Sequence, residues 1–161
     1  MTLNAPRTPM PERRNLLLAG LAVAWLPLRA EPNTLPLATA LPQHLDHALG
    51  KGQPLVVMVS LHGCPFCKVA REHYLLPLWR EQALPVVQVD MRSAQTLRDF
   101  GGADTTHEAQ IRTWRVRMAP TVLFFGRGGL EVAKRLVGAG MPDFYGAYLD
   151  ERLATARKAL A

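Results

Sequence analysis

Two cysteines stand three positions apart in the run Cys64-Pro65-Phe66-Cys67, and this spacing at the start of a helix is the strongest chemical signal in the chain. The thiolate is the reactive form of cysteine, and the free N–H groups and positive dipole end of a helix stabilise it. Proline suits the first helical position, because the N–H it lacks would have been unpaired there anyway. A helix beginning at Pro65 therefore makes Cys64 the N-cap, sulfur outward, and puts Cys67 one turn deeper, shielded but within bonding reach. The asymmetry assigns roles: Cys64 attacks a partner disulfide, and Cys67 resolves the mixed disulfide, leaving the pair oxidised and the partner reduced. Run backward, the same steps donate a disulfide. Two other uses of the pair stay open. One is a structural bridge, which stabilises little when the closed loop is so short; the other is half of a soft-metal site completed by a second chain. Two cysteines cannot make a four-thiolate zinc site within one chain, nor a multi-bridge disulfide framework.

The polar groups near the motif have both a chemical and a plain reading. His62, if charged, could favour a thiolate at Cys64 or relay a proton; the plainer reading is a turn histidine facing water. Lys68 adds positive potential near the thiols or is an ordinary surface lysine. Glu72 and His73 read as solvent-facing or interface groups. His44 and His47 are spaced to share a metal but lack further nearby ligands, so no metal site is expected. His107 shows no spacing that converges on the cysteines, and Trp79, Trp114, Phe124 and Phe125 read as core residues.

A strand, a turn and a helix must position the pair. Pro54 to Val59 is a continuous apolar run of strand length, as expected for a strand buried on both faces. A helix then runs from about Pro65 to Leu76 and is interrupted near Pro77. Upstream, Leu45, Ala48 and Leu49 fall at helical spacing in a short helix that Gly50 to Gly52 ends. Downstream, Pro85 to Val89 forms a second buried strand, and Thr96 to Phe100 could be a short edge strand before a Gly101-Gly102 turn. Thr105-x-x-Glu108 fits a capping box at the start of a helix. Thr121 to Phe125 forms another buried strand and pairs as a hairpin with Leu130 to Val137 across Gly126 to Gly129. Phe144, Tyr148, Leu149 and Leu153 recur at the spacing of an amphipathic closing helix. Parallel strands linked by helices, then a hairpin and a helix, predict an α/β domain with a mixed central β-sheet covered on both faces.

The chain has 161 residues, one domain's worth. Residues 1–30 combine Arg13-Arg14, the apolar run Leu16 to Leu26 and a small residue at Ala30, the order of a secretory signal cleaved near Ala30. That run is too short to cross a bilayer as a helix. Arg13-Arg14-Asn15-Leu16-Leu17 also looks like a twin-arginine export motif. Residues 31–42, rich in proline and without a period, read as a linker, leaving 43–161 as the domain. The formal charge is +6, but Arg7, Arg13, Arg14 and Arg29 lie in the first thirty residues with only Glu12. The remainder holds 15 basic and 12 acidic groups, a surplus of three with no basic run, which does not indicate a nucleic-acid partner. With 48% apolar residues the chain can build a core.

The run VVMVSLHGCPFCK, followed at a distance by Ala119-Pro120-Thr121 opening a strand and hairpin, resembles the thioredoxin superfamily over about Gln43 to Leu160. Within it, the exported N-terminus, the Cys-Pro-Phe-Cys pair, segment 92–104 and the run Val116 to Thr121 look most like the periplasmic SoxW-type thioredoxins, with the C-terminal domain of the DsbD reductase as a cousin. The resemblance implies a thioredoxin fold. It implies that Cys64 is the exposed nucleophile, Cys67 the resolving thiol, and Pro120 a cis-proline across from them, with Ala119, Pro120 and Thr121 binding an extended substrate strand. It further implies a periplasmic thiol-disulfide oxidoreductase that reduces disulfides of exported proteins and is re-reduced by a membrane thiol transporter of the DsbD or CcdA kind. No cofactor is expected beyond the redox-active Cys64–Cys67 disulfide, and no glutathione site is evident. Two departures leave the redox direction open. Met58 stands where cytosolic thioredoxins carry a buried aspartate, and Gly63 and Pro65-Phe66 replace their tryptophan and Gly-Pro, closer to the glutaredoxin dipeptide. A disulfide donor or isomerase is therefore an alternative, as is a thiol chaperone delivering a metal or haem.

Overall fold

Alternation along three apolar strands builds a core on each face of one sheet. The computed structural model describes residues 1–2, 33–139 and 142–161. The export signal expected over residues 1–30, and its cleavage near Ala30, lie outside them apart from the first two positions. Residues 31–161 form one compact unit. In chain order its elements are α1 (Leu41–Gly50), β1 (Leu55–Ser60), α2 (Pro65–Val69), a π-helical turn (Ala70–Leu75), α3 (Leu76–Glu81), β2 (Val86–Asp90), β3 (Thr96–Arg98), β4 (Asp104–Thr106), α4 (His107–Thr113), β5 (Thr121–Phe125), β6 (Leu136–Val137) and α5 (Pro142–Lys158).

The main sheet has the order β2-β1-β5-β6. β1 runs parallel to β2, pairing Val57 with Val87, and antiparallel to β5, pairing Val57 with Leu123. Successive side chains on a strand face opposite ways. Val56, Met58, Val122 and Phe124 accordingly join Cys67, Leu75, Tyr145 and Leu149 in one cluster, while Val57, Val59, Leu123 and Phe125 join Leu41, Leu45 and Ile111 in the other. This is the mixed, doubly covered sheet of the thioredoxin fold.

The details depart from the sequence reading in five places. The stretch read as a linker is packed into the domain from Leu35 onward. Leu35 and Ala38 are buried, Ala38 N–H donates to Gln88 O at 2.9 Å, and Gln88 N–H donates to Pro36 O at 2.8 Å. The segment thus adds a short parallel partner to the free edge of β2, and α1 begins at Leu41 rather than Gln43. Pro77 does not interrupt the helix. Its ring would crowd the carbonyl four residues back in a regular α-helix, but the π-helical turn precedes it, with Leu76 N–H bonding Arg71 O. The cap of α4 is Thr106, whose Oγ1 accepts from Ala109 N–H at 3.2 Å, and Glu108 turns instead to the backbone N–H of Arg92. Thr105 belongs to a separate two-stranded hairpin of β3 and β4, its turn held by Asp99 Oδ1 accepting from Gly101 and Ala103 N–H, each at 2.9 Å. In α5 the buried stripe is Tyr145, Leu149, Leu153 and Ala156, leaving Phe144 and Tyr148 exposed.

His107 ties these additions together. It is fully buried; Nδ1 accepts from Asp90 N–H at 3.1 Å, so the ring hydrogen sits on Nε2, which donates to Ala38 O at 2.9 Å. The side chain joins α4, the end of β2 and the N-terminal segment.

Candidate active site

The turn after β1 delivers Cys64 to the start of α2. Gly63 takes φ +72°, a conformation glycine adopts without steric cost, and Cys64 N–H closes the turn on Leu61 O at 3.2 Å. Cys64 itself is extended (φ −80°, ψ 114°) and caps the helix: its Sγ accepts the Cys67 N–H at 3.1 Å. Both thiols are free; Cys64 is partly exposed, whereas Cys67 is 1% exposed. The pair therefore has one sulfur at the surface and one in the core, as the helix-start spacing predicts.

Burial pushes the Cys67 thiol up to about 11, and its hydrogen bond with the Cys64 side chain adds to the rise; the Leu61 backbone and the Ser60 side chain act in the opposite direction. Cys67 is thus a thiol at neutral pH, hydrogen-bonded to the Cys64 sulfur. Met58, in the position of the absent aspartate, is buried in the same cluster and offers no charge.

The 118–121 turn lies against Cys64. Cys64 Sγ is 4.0 Å from Ala119 O, and the Ala119–Pro120 bond is cis. Pro120 is buried and Ala119 partly exposed. Thr121 is 1% exposed and its Oγ1 donates to Met118 O at 2.7 Å, so its side chain shapes the turn from inside. Phe66, Met118 and Val137 are each more than half exposed. Phe66 lies in the motif, Met118 in the turn that meets Cys64, and Val137 on the strand paired with Thr121.

His62 and Lys68 are exposed and line, with Cys64, a cleft of about 730 Å³. Among the described residues no hydrogen bond joins either to a sulfur. His44 and His47 lie elsewhere, in a cleft of about 680 Å³ walled by Leu55 and Val86 at the opposite end of the sheet. Burial, then the charge of His47, holds His44 below its usual value. Among the described residues no group of three or more His, Cys, Asp or Glu is placed to hold a metal.

Three contributions to the site escape the motif. Ser60 is 2% exposed and reaches Cys67; period-two alternation from Val56 and Met58 already puts it on the helix-covered face. Tyr145 comes from α5, is 3% exposed, and has no hydrogen-bond partner for its hydroxyl among the described residues. Burial raises its pKa, followed by the charges of Cys67 and Tyr74. Arg71 Nη1 donates to Gln88 Oε1 at 3.3 Å, and Gln88 Nε2 donates to Asp90 Oδ1 at 2.7 Å, a polar chain along the cleft that no local pattern announces.

A family model described as a thioredoxin-like domain matches residues 41–152. Among solved structures, the chain is similar to the periplasmic thioredoxin SoxS from Paracoccus pantotrophus, at 20% identity over 65% of this chain and 99% of that one, with a TM-score of 0.44. It is similar to a poplar thioredoxin h at 20% identity, covering 71% and 95% of the two chains with a TM-score of 0.47. For mitochondrial thioredoxin 3 from Saccharomyces cerevisiae the identity is 16%, the coverage 74% and 93%, and the TM-score 0.48. No curated protein sequence matches the chain.

Proposed function

The chain belongs to the thioredoxin-like domain family, and from that membership and its dithiol we propose that it is a thiol-disulfide oxidoreductase that reduces disulfides of exported proteins. The observation that carries the reading is the unequal pair: Cys64 partly exposed at a helix N-cap, Cys67 buried and protonated behind it. In the first step the Cys64 thiolate attacks one sulfur of the target disulfide. A Cys64–target S–S bond forms, the target bond breaks, and the other target sulfur leaves as a thiolate that takes a proton. In the second step Cys67 loses its proton and attacks Cys64 Sγ, forming the Cys64–Cys67 disulfide and releasing the second target thiol. Two electrons pass to the target, and the protein is left oxidised. Ala119, beside the sulfur, and the exposed Phe66 and Met118 supply backbone and apolar contacts for an extended target segment.

Export is part of the proposal and rests on the residue order of positions 1–30. In an oxidising compartment a reductant needs an electron source, and a membrane thiol transporter of the DsbD or CcdA kind supplies that chemistry. The pair's own disulfide is the only redox group the reaction requires.

Trapping tests the assignment of the two cysteines: Cys67→Ser should accumulate a mixed disulfide with its targets, because attack proceeds and resolution fails. If Cys64→Ser traps and Cys67→Ser does not, the roles are reversed. The reduction potential tests direction. A value of about −270 mV marks a reductant, and one of about −120 mV a disulfide donor.

A further inference from the structure

The cleft against Cys64 is walled by the turn after β1, the first turns of the following helix, and the end of β2 with residues 91–93. Its charge is one-sided. Lys68, Arg71 and Arg92 bring three cations to the walls, while Asp90 brings the single carboxylate, already engaged by the Gln88 amide at 2.7 Å. Among the described residues Lys68, Arg71 and Arg92 have no ion-pair partner, and Arg71 Nε is buried without an acceptor. A cluster of unpaired cations with a desolvated N–H is unfavourable until an anion enters, and it attracts anions to the concave surface.

The lining contains Cys64 and none of residues 118–121, so among the described residues it is a second wall of the reactive sulfur, distinct from the turn that faces Ala119. Resting on the oxidoreductase reading, we propose that this cleft is a docking subsite for acidic side chains flanking the target cysteine. Lys68 and Arg92 select targets whose attacked sulfur sits within a few residues of aspartate or glutamate. Like-charged flanks are repelled from the same place, which makes the cleft a specificity filter as well as an attractor.

Three disulfide peptides with a common neutral core test this, flanked by aspartate, asparagine or lysine, each reduced by the full chain after prereduction with a small dithiol. The aspartate peptide should exceed the lysine peptide by about tenfold in kcat/KM at low ionic strength, and the ratio should shrink at high salt. The double variant Lys68→Gln/Arg92→Gln should bring the ratio to within about twofold; a ratio cancels any general loss of activity or folding. Equal reduction of all three peptides by the unaltered protein, or a preference that survives the double variant, overturns the subsite and leaves the oxidoreductase reading standing. Reduction of none of them overturns both.

Discussion

A buried thiol carries its own pH signature. Cys67 holds its proton to about 11 when folded, against an ordinary value of 9.0 when exposed, chiefly because burial disfavours the thiolate. Between those values the unfolded chain has released a proton that the folded one retains, so rising pH favours unfolding. The stabilising contribution is whole below pH 9 and lost as pH climbs through about 11. Denaturant titrations of the dithiol protein at stepped pH should show this fall, and Cys67→Ala should show a shallower one that begins at higher pH, because the buried Tyr145 hydroxyl still holds its proton there; parallel curves for the two would refute it. Tyr145 makes a second single-residue case. Its ring packs on Tyr74 with centroids 4.8 Å apart, while its hydroxyl is buried without a partner among the described residues. Tyr145→Phe keeps the ring and removes the orphan, so stability should rise by about 1 kcal/mol in thermal melts. A loss of that size would mean that the hydroxyl is satisfied after all.

Elements formed where local pattern sufficed, and shifted where a distant partner decided. The runs that became β1, β2 and β5 are continuous and apolar, and Cys64-Pro65 marks a helix start by its own chemistry, so the site's two sulfurs were legible. In α5 the aromatic residues offer two stripes, Phe144 with Tyr148 and Tyr145 with Leu149. Only the second continues to Leu153 and Ala156, and the sheet buries that one. Thr105 and Thr106 can each cap a helix; pairing of Leu97 with Thr105 in the small hairpin leaves the role to Thr106. The turn before β6 shows how such lobes are joined. Gly129 has φ +69°, and a Cβ there would lie 2.5 Å from the ring of Phe100, which itself packs on Phe125 at 4.8 Å. Gly129→Ala combines a left-handed backbone with a collision against a packed ring. It should cost about 2 kcal/mol or more and disturb the near-ultraviolet signal of Trp114, the third ring of that group. A silent substitution would show that the lobe is not braced by this turn.

At the scale of the whole domain, the site is assembled from parts that no short window of sequence connects: Cys64 meets a carbonyl 55 residues away, and the floor of its cationic cleft depends on a segment before α1. Proline-rich sequence without a period reads as a linker, yet Leu35 fills the cluster that holds Cys67, and Ala38 accepts from His107. That segment brackets Gln88, the middle member of the Arg71–Gln88–Asp90 chain. Packing here should therefore be felt both in stability and along the cleft. Leu35→Ala removes a buried side chain and should destabilise the domain by about 2–3 kcal/mol, where a true linker position would change it by no more than about 0.5 kcal/mol. Ala38→Pro should cost at least as much, because it deletes the N–H donated to Gln88 O from a fully buried position. In native-state hydrogen exchange, protection of the Ala38, Gln88 and Asp90 amides should fall together in Leu35→Ala, since one bonded unit connects them. Loss confined to residues 35–40 would instead make the segment a strap that opens by itself, and would detach the cleft floor from it.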